Sequence, residues 1–223
     1  RKIGLGAMGL GDLVYEARLA YNPDEGRQFM EHLRQSIAYS EKNVKVCASH
    51  AGLTLGEDGA THQVLEDLGM TKMLPNFTVI NPCDYYQTKA ATMAIAEYHG
   101  PVYLRFGRPG WPMFMQDQPF EIGKAITLID GTDVTIFATG HLVWKAIEAE
   151  AVLAEQGISA EVINIHTIKP LDEEAILKSI AKTGCTVSAE EHQIAGGLGE
   201  SIANTIVRNH LVPQEFVAVN DQF

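Results

Sequence analysis

The sequence predicts an α/β fold: two three-layer units with mainly parallel sheets. Three observations carry this expectation. From residue 44 onward, short β-rich runs alternate with stretches of helical spacing. Parallel neighbours need a crossover, and a strand–helix alternation supplies one each time. The rhythm breaks once, at GRPGWPMFMQDQP (107–119), where three prolines fall within thirteen residues. Proline removes a donor and restricts its predecessor, so neither a helix nor a central strand runs through this stretch. The composition is that of a folded chain, 46% hydrophobic and 20% charged over 223 residues. That length suits one large domain or two of about 100 residues.

Residues 1–33 stand apart as an atypical segment. GLGAMG (4–9) matches GxGxxG, with Asp24 and Glu25 further on, but only three residues precede Gly4. A Gly-rich loop is expected there rather than a dinucleotide site, which needs a full strand before it. The middle unit, 34–112, reads as strand 44–48 (VKVCA), helix 61–70, strand 76–80 (NFTVI), helix 85–99 capped by Asp84, and strand 101–106 (PVYLRF). Residues 113–121 form the linker. The last unit, 122–223, begins with strand 133–138 (DVTIFA), helix 142–156 stopped by Gly157, and strand 160–165 (AEVINI). PLDEE (170–174) then opens a helix whose acidic first turn suits the helix dipole. Strand 186–189, helix 198–209 after two glycines, and strand 216–219 complete it.

The formal net charge is −11, but residues 34–121 carry only −2 and residues 122–223 carry −8. A net-acidic chain has no electrostatic footprint for nucleic acid or an anionic membrane. No apolar run reaches the length of about 18 residues that a membrane span needs. Cys47, Cys83 and Cys185 lie 36 and 102 residues apart, which gives neither a disulfide framework nor a CxxC pair. They read as small buried thiols in a reducing cytoplasm.

The most informative stretch is SHAGLTLGEDGATHQ (49–63). It follows a strand and precedes a helix, at the carboxyl end of a parallel strand where α/β proteins place ligands. Its three glycines allow close backbone approach. His50, Glu57, Asp58 and His62 fall within thirteen residues. Asp58, Thr61 and His62 are expected near the helix start, where free N–H groups face outward. Such a loop suits a polyhydroxylated or anionic ligand. Zinc competes less well, because His50, Asp58 and His62 lack helical i, i+4 pairing and a thiol partner.

The loop, together with NPCD (81–84), YLRFGRP (103–109), IKPLD (168–172), EEH (190–192) and GGLGE (196–200), resembles the C-terminal half of a transketolase over residues 34–223. The resemblance implies a pyrimidine-binding domain, incomplete here, followed by the family's C-terminal domain. It implies transfer of a two-carbon ketol unit between sugar phosphates with thiamine diphosphate and Mg²⁺, in the pentose phosphate pathway. His50 matches a histidine contacting donor hydroxyls near the reacting carbon, and His62 a second substrate-side histidine. Asp58 matches an aspartate bonded to the C2 hydroxyl, and Arg108 the arginine that grips the sugar phosphate. Arg105 and Glu57 also read as structural neighbours. Glu190, Glu191 and His192 read as interface or folding residues. Residues 1–33 resemble a segment of cobalamin-dependent ribonucleotide reductases.

Some of the family's parts are missing from the sequence. The glutamate that activates the cofactor and the aromatic residue that stacks on its pyrimidine belong upstream, where residues 1–33 stand. No GDG segment is present for diphosphate and metal, so this chain provides no metal ligands, and its cofactor-binding residues are unidentified. Phe223 also precedes the family's usual last helix. The expectation is a C-terminal subunit, inactive alone, that works with an N-terminal transketolase subunit as a homo-oligomer or heterotetramer. A non-catalytic assembly module and a 2-oxo acid dehydrogenase β chain are the alternatives.

Overall fold

Two five-stranded sheets organise the chain in the computed structural model, which describes residues 6–8, 31, 33–56, 58–60 and 62–222. The first holds β1 (Gly6–Met8), β2 (Lys45–Ser49), β3 (Thr78–Ile80), β4 (Val102–Arg105) and β8 (Thr167–Lys169), in the order β1-β2-β4-β3-β8. The second holds β5 (Ile126–Ile129), β6 (Val134–Ala138), β7 (Ala160–Asn164), β9 (Thr186–Gln193) and β10 (Gln214–Val219), in the order β10-β9-β6-β7-β5. Every pair is parallel except β3 with β8 and β5 with β7. All residues of β4 and β7 are buried, as expected of inner parallel strands covered on both faces.

Among the described residues, five α-helices connect them: α1 (Asp67–Lys72), α2 (Tyr85–Glu97), α3 (Leu142–Glu155), α4 (Glu173–Thr183) and α5 (Leu198–Asn209). Asp84 caps α2 by accepting from Gln87 N at 2.9 Å. Its other oxygen accepts from Phe114 N and Met115 N, so one carboxylate starts a helix and pins the proline-rich segment. Asp172 plays the same double role for α4, accepting from Ala175 N and Ala125 N. Residues 106–125 contain neither helix nor strand.

The two units are not cleanly separable. β8, from the second unit's stretch of chain, adds an antiparallel edge to the first sheet. One apolar cluster runs from Val46, Phe77 and Val79 to Ile168, Ile176 and Leu198.

Four expectations need correction. The helix expected over 61–70 is only Asp67–Lys72. Val64 and Leu65 are held extended instead, because Gly52 N donates to Val64 O and Gln193 N to Leu65 O. Asp58 and His62 therefore do not sit at a helix start. β5 and β8 are edge strands of three or four residues, too short to announce themselves by pattern. β9 runs on to Gln193, beyond the expected end at 189. Gly6–Met8 is a strand paired with β2 rather than part of a Gly-rich loop. Gly4, Gly9, Asp24, Glu25, Glu57, Thr61 and most of the segment compared with ribonucleotide reductase lie outside the described residues.

Candidate functional site

β2 and β4 are neighbours, with Ala48 opposite Arg105. Their carboxyl ends release two loops from one place. The first, 50–63, follows β2; the second, 106–111, follows β4. Phe106 N donates to Ala48 O at 2.9 Å and Ala51 N to Phe106 O at 3.4 Å, which ties the loops at their roots.

Further out, Arg108 donates an Nη1–H to Asp58 Oδ2 at 2.7 Å. His50 stands at the root of the same loop with φ +65°, a left-handed conformation uncommon for a residue with a Cβ. Such strain clusters at ligand sites when the surroundings enforce it. His50 Nδ1 lies 2.8 Å from Ser49 Oγ. His62 is exposed on a turn closed by its own N–H to Gly59 O. The structure thus joins Asp58 to Arg108, with His50 at the start of the loop that carries Asp58 and His62 four residues beyond it.

Arg105 is committed elsewhere. It is 3% exposed, and its Nε donates to Asp67 Oδ2 at 2.8 Å. Tyr103 Oη donates to the same oxygen at 2.7 Å. Arg105 Nη2 donates to Glu191 O at 2.8 Å. This buried salt bridge gives Arg105 a structural role, and Arg108 is the cation of the loop after β4.

Glu191 and His192 join the two units, while Glu190 bonds within the second. The Glu190 carboxylate accepts from Leu198 N and Gly199 N, an anion at the start of α5. His192 Nε2 accepts from Gly69 N, and its Nδ1–H donates to Gln193 O. Glu191 accepts from Thr54 N and from Thr54 Oγ. Thr54 Oγ also meets His141 Nδ1 at 3.1 Å, and the His141 ring stacks on Trp111. Sequence reasoning singled out neither Thr54 nor His141, and no local spacing marks either.

Burial, and for His141 also the Arg105 charge, pull the imidazoles of His141 and His166 down to about 4. Both are neutral in the fold, yet below about pH 6.5 they bind a proton once unfolded. Stability from this source is complete above 6.5 and is lost as pH falls towards 4. At pH 5 the loss should be about 2 kcal/mol per histidine. Burial raises the Glu190 and Glu191 carboxyls, which contribute with the opposite sign and offset part of it. Urea unfolding at pH 7 and pH 5 checks this. His166→Asn should remove its share of the difference, and an unchanged difference would refute the assignment.

Among the described residues, no three His, Cys, Asp or Glu side chains gather as a metal site would require. No described helix is long and apolar enough to cross a membrane.

Two family models match the chain: the transketolase pyrimidine-binding domain over residues 27–112 and the transketolase C-terminal domain over residues 123–222. A putative transketolase C-terminal section from Methanocaldococcus jannaschii is 46% identical over 197 residues, covering 86% of this chain and 61% of the relative. A 6-deoxy-6-sulfo-D-fructose transketolase subunit from a Clostridium species is 40% identical over 221 residues, covering 99% of this chain and 67% of the relative. That alignment takes in nearly all of residues 1–33, whose likeness to a ribonucleotide reductase neither family model repeats. Among solved structures, a split-gene transketolase in an inactive beta4 tetramer matches with a TM-score of 0.84 at 39% identity, over 97% of this chain and 67% of that one. The chain thus spans about three fifths to two thirds of the length of these relatives.

Proposed function

The chain belongs to the transketolase family, and from that premise we propose that it is the C-terminal part of an enzyme moving a two-carbon ketol unit between sugar phosphates. The observation that carries this reading is the meeting of Asp58 and Arg108, from the two loops that leave the carboxyl ends of β2 and β4, with His50 at the root of the first loop. Arg108 holds the anionic end of the sugar through charge-assisted hydrogen bonds. Asp58 accepts from a sugar hydroxyl, and the 2.7 Å pair opens as each group exchanges the other for its part of the substrate. His50 and His62 contact hydroxyls near the reacting carbon and move protons there. The Clostridium relative, named for a sulfo-sugar, supports an anionic sugar as the substrate class.

Thiamine diphosphate, on which the family depends, supplies the carbanion stabilisation. The described residues do not fit its diphosphate and Mg²⁺: they form no ligand cluster, and Arg105 is buried and already bonded to Asp67 and to the Glu191 carbonyl. The reading therefore assigns both to an N-terminal partner chain, with active sites between subunits of a larger oligomer. A cytoplasmic place in pentose phosphate chemistry belongs to the same reading.

Mixing the chain with a matching N-terminal transketolase subunit, thiamine diphosphate and Mg²⁺ should yield ketol transfer that neither protein gives alone. No transfer by folded, associated subunits would sink the proposal. The inactive beta4 relative favours a second reading, an assembly of C-terminal chains without catalysis. Sedimentation of the isolated chain with a thiamine diphosphate titration separates the two: an oligomer that never binds cofactor, even beside the partner, supports the second.

A further inference from the structure

We propose that Thr54, Glu191 and His141 form a positioning junction through which the second unit fixes the sugar loop relative to Arg108, and so favours donors that carry a phosphate. The inference rests on the transketolase reading for its substrate, and on geometry for the junction itself.

The junction has two arms. In one, Glu191, near the end of β9, accepts from Thr54 N at 3.1 Å and from Thr54 Oγ at 3.2 Å. Thr54 has a single hydroxyl proton. Once that proton is given to the carboxylate, the 3.1 Å contact with His141 requires Nδ1–H to donate to Oγ. The order is therefore His141 to Thr54 to Glu191. Thr54 lies four residues before Asp58, so this arm holds the sugar loop.

In the other arm, the His141 ring stacks on Trp111 with centroids 4.4 Å apart and planes 11° from parallel. Trp111 lies three residues after Arg108. One imidazole thus touches both loops. Each loop has a glycine where these side chains press in. A Cβ on Gly107 would stand 2.0 Å from His141 Cε1, and one on Gly52 would stand 2.7 Å from Glu191 Oε2. The main chain of Glu191 is fixed as well, by Arg105. Glu191 and His141 are largely buried, their side chains 8% and 11% exposed, so these bonds are shielded from competing water.

A donor with a phosphate must reach Asp58 and Arg108 together, so it feels their spacing. A donor without one does not. That difference separates a positioning junction from simple packing between units.

The test compares Thr54→Val, which keeps the shape and loses the hydroxyl, with Thr54→Ser, which keeps the hydroxyl. The chain is assayed with an N-terminal transketolase subunit, thiamine diphosphate and Mg²⁺, using a ketose phosphate and the same ketose without phosphate. Thr54→Val should lower the preference for the phosphorylated donor about tenfold or more, the size expected when a buried hydrogen-bonding partner is lost. Thr54→Ser should keep it. Equal losses for both donors, or equal losses in both variants, would overturn the inference. His141→Phe, which keeps a ring against Trp111 but cannot donate, is the second variant and should repeat the loss if Thr54→Val fails to fold. Amide exchange over residues 50–60 of the isolated chain gives a readout free of activity. It should be about tenfold faster in Thr54→Val than in Thr54→Ser. Equal exchange refutes the junction. Unequal exchange with an inactive wild-type mixture refutes the transketolase reading and leaves the junction standing.

Discussion

Asp67→Ala should cost the folded chain about 3–5 kcal/mol, the range for breaking a buried ion pair from one side. Asp67 is fully buried, and the Arg105 side chain is 4% exposed. A single oxygen, Oδ2, takes both the Arg105 Nε–H and the Tyr103 hydroxyl. Burial, then the Asp67 charge, pushes the Tyr103 hydroxyl well above its ordinary value, so it stays protonated and donates. Removing the carboxylate leaves a guanidinium inside the protein with only carbonyl oxygens, those of Glu191 and Val64, among its described partners. Urea unfolding measures the loss. Asp67→Leu combined with Arg105→Met should recover much of it, because both charges then leave the interior together. A loss below about 1 kcal/mol in Asp67→Ala would show that Arg105 does not depend on this partner.

The same pair shows how far the sequence could be read. Arg105 ends a β-rich run, so its strand was legible. Its partner lies 38 residues earlier, after an irregular loop, and no spacing rule connects them. Helical periodicity from Thr61 to Met70 pointed to a helix, yet tertiary bonds hold Val64 and Leu65 extended and the helix starts only at Asp67. Asp84 and Asp172 were readable as helix starts because a cap is local. The further bonds of both to the backbone of residues 114, 115 and 125 were not, since those depend on where the chain returns. At the site, the loop pattern alone drew attention to His50, Asp58 and His62, while Arg108 and the roles of all four came only from the resemblance to transketolases. Glu191 and Thr54, 137 residues apart, meet only because β9 ends beside the sugar loop.

Arg108→Ala should lower kcat/KM for a phosphorylated donor about 10–100-fold in the assembled enzyme, since a hydrogen bond to a charged group is worth about 1.5–3 kcal/mol. Most of the change should fall on KM, because the phosphate is remote from the reacting carbon and is held alike in ground and transition states. A donor without phosphate should be nearly unaffected. Arg108→Lys should fall between, keeping the charge but losing the planar fork. The ion pair with Asp58 sharpens the expectation. Arg108 is partly exposed at 36%, so the pair is weak and salt-screened, and a phosphate can displace it. Asp58→Ala should therefore tighten inorganic phosphate binding at Arg108 while reducing turnover, as the hydroxyl contact is lost. The double variant should bind phosphate as poorly as Arg108→Ala alone, because relieving the pair helps only when the arginine is there to use it. An unchanged KM for the phosphorylated donor in Arg108→Ala would remove Arg108 from the site. Weaker phosphate binding in Asp58→Ala would mean that Asp58 orients the arginine rather than competing for it.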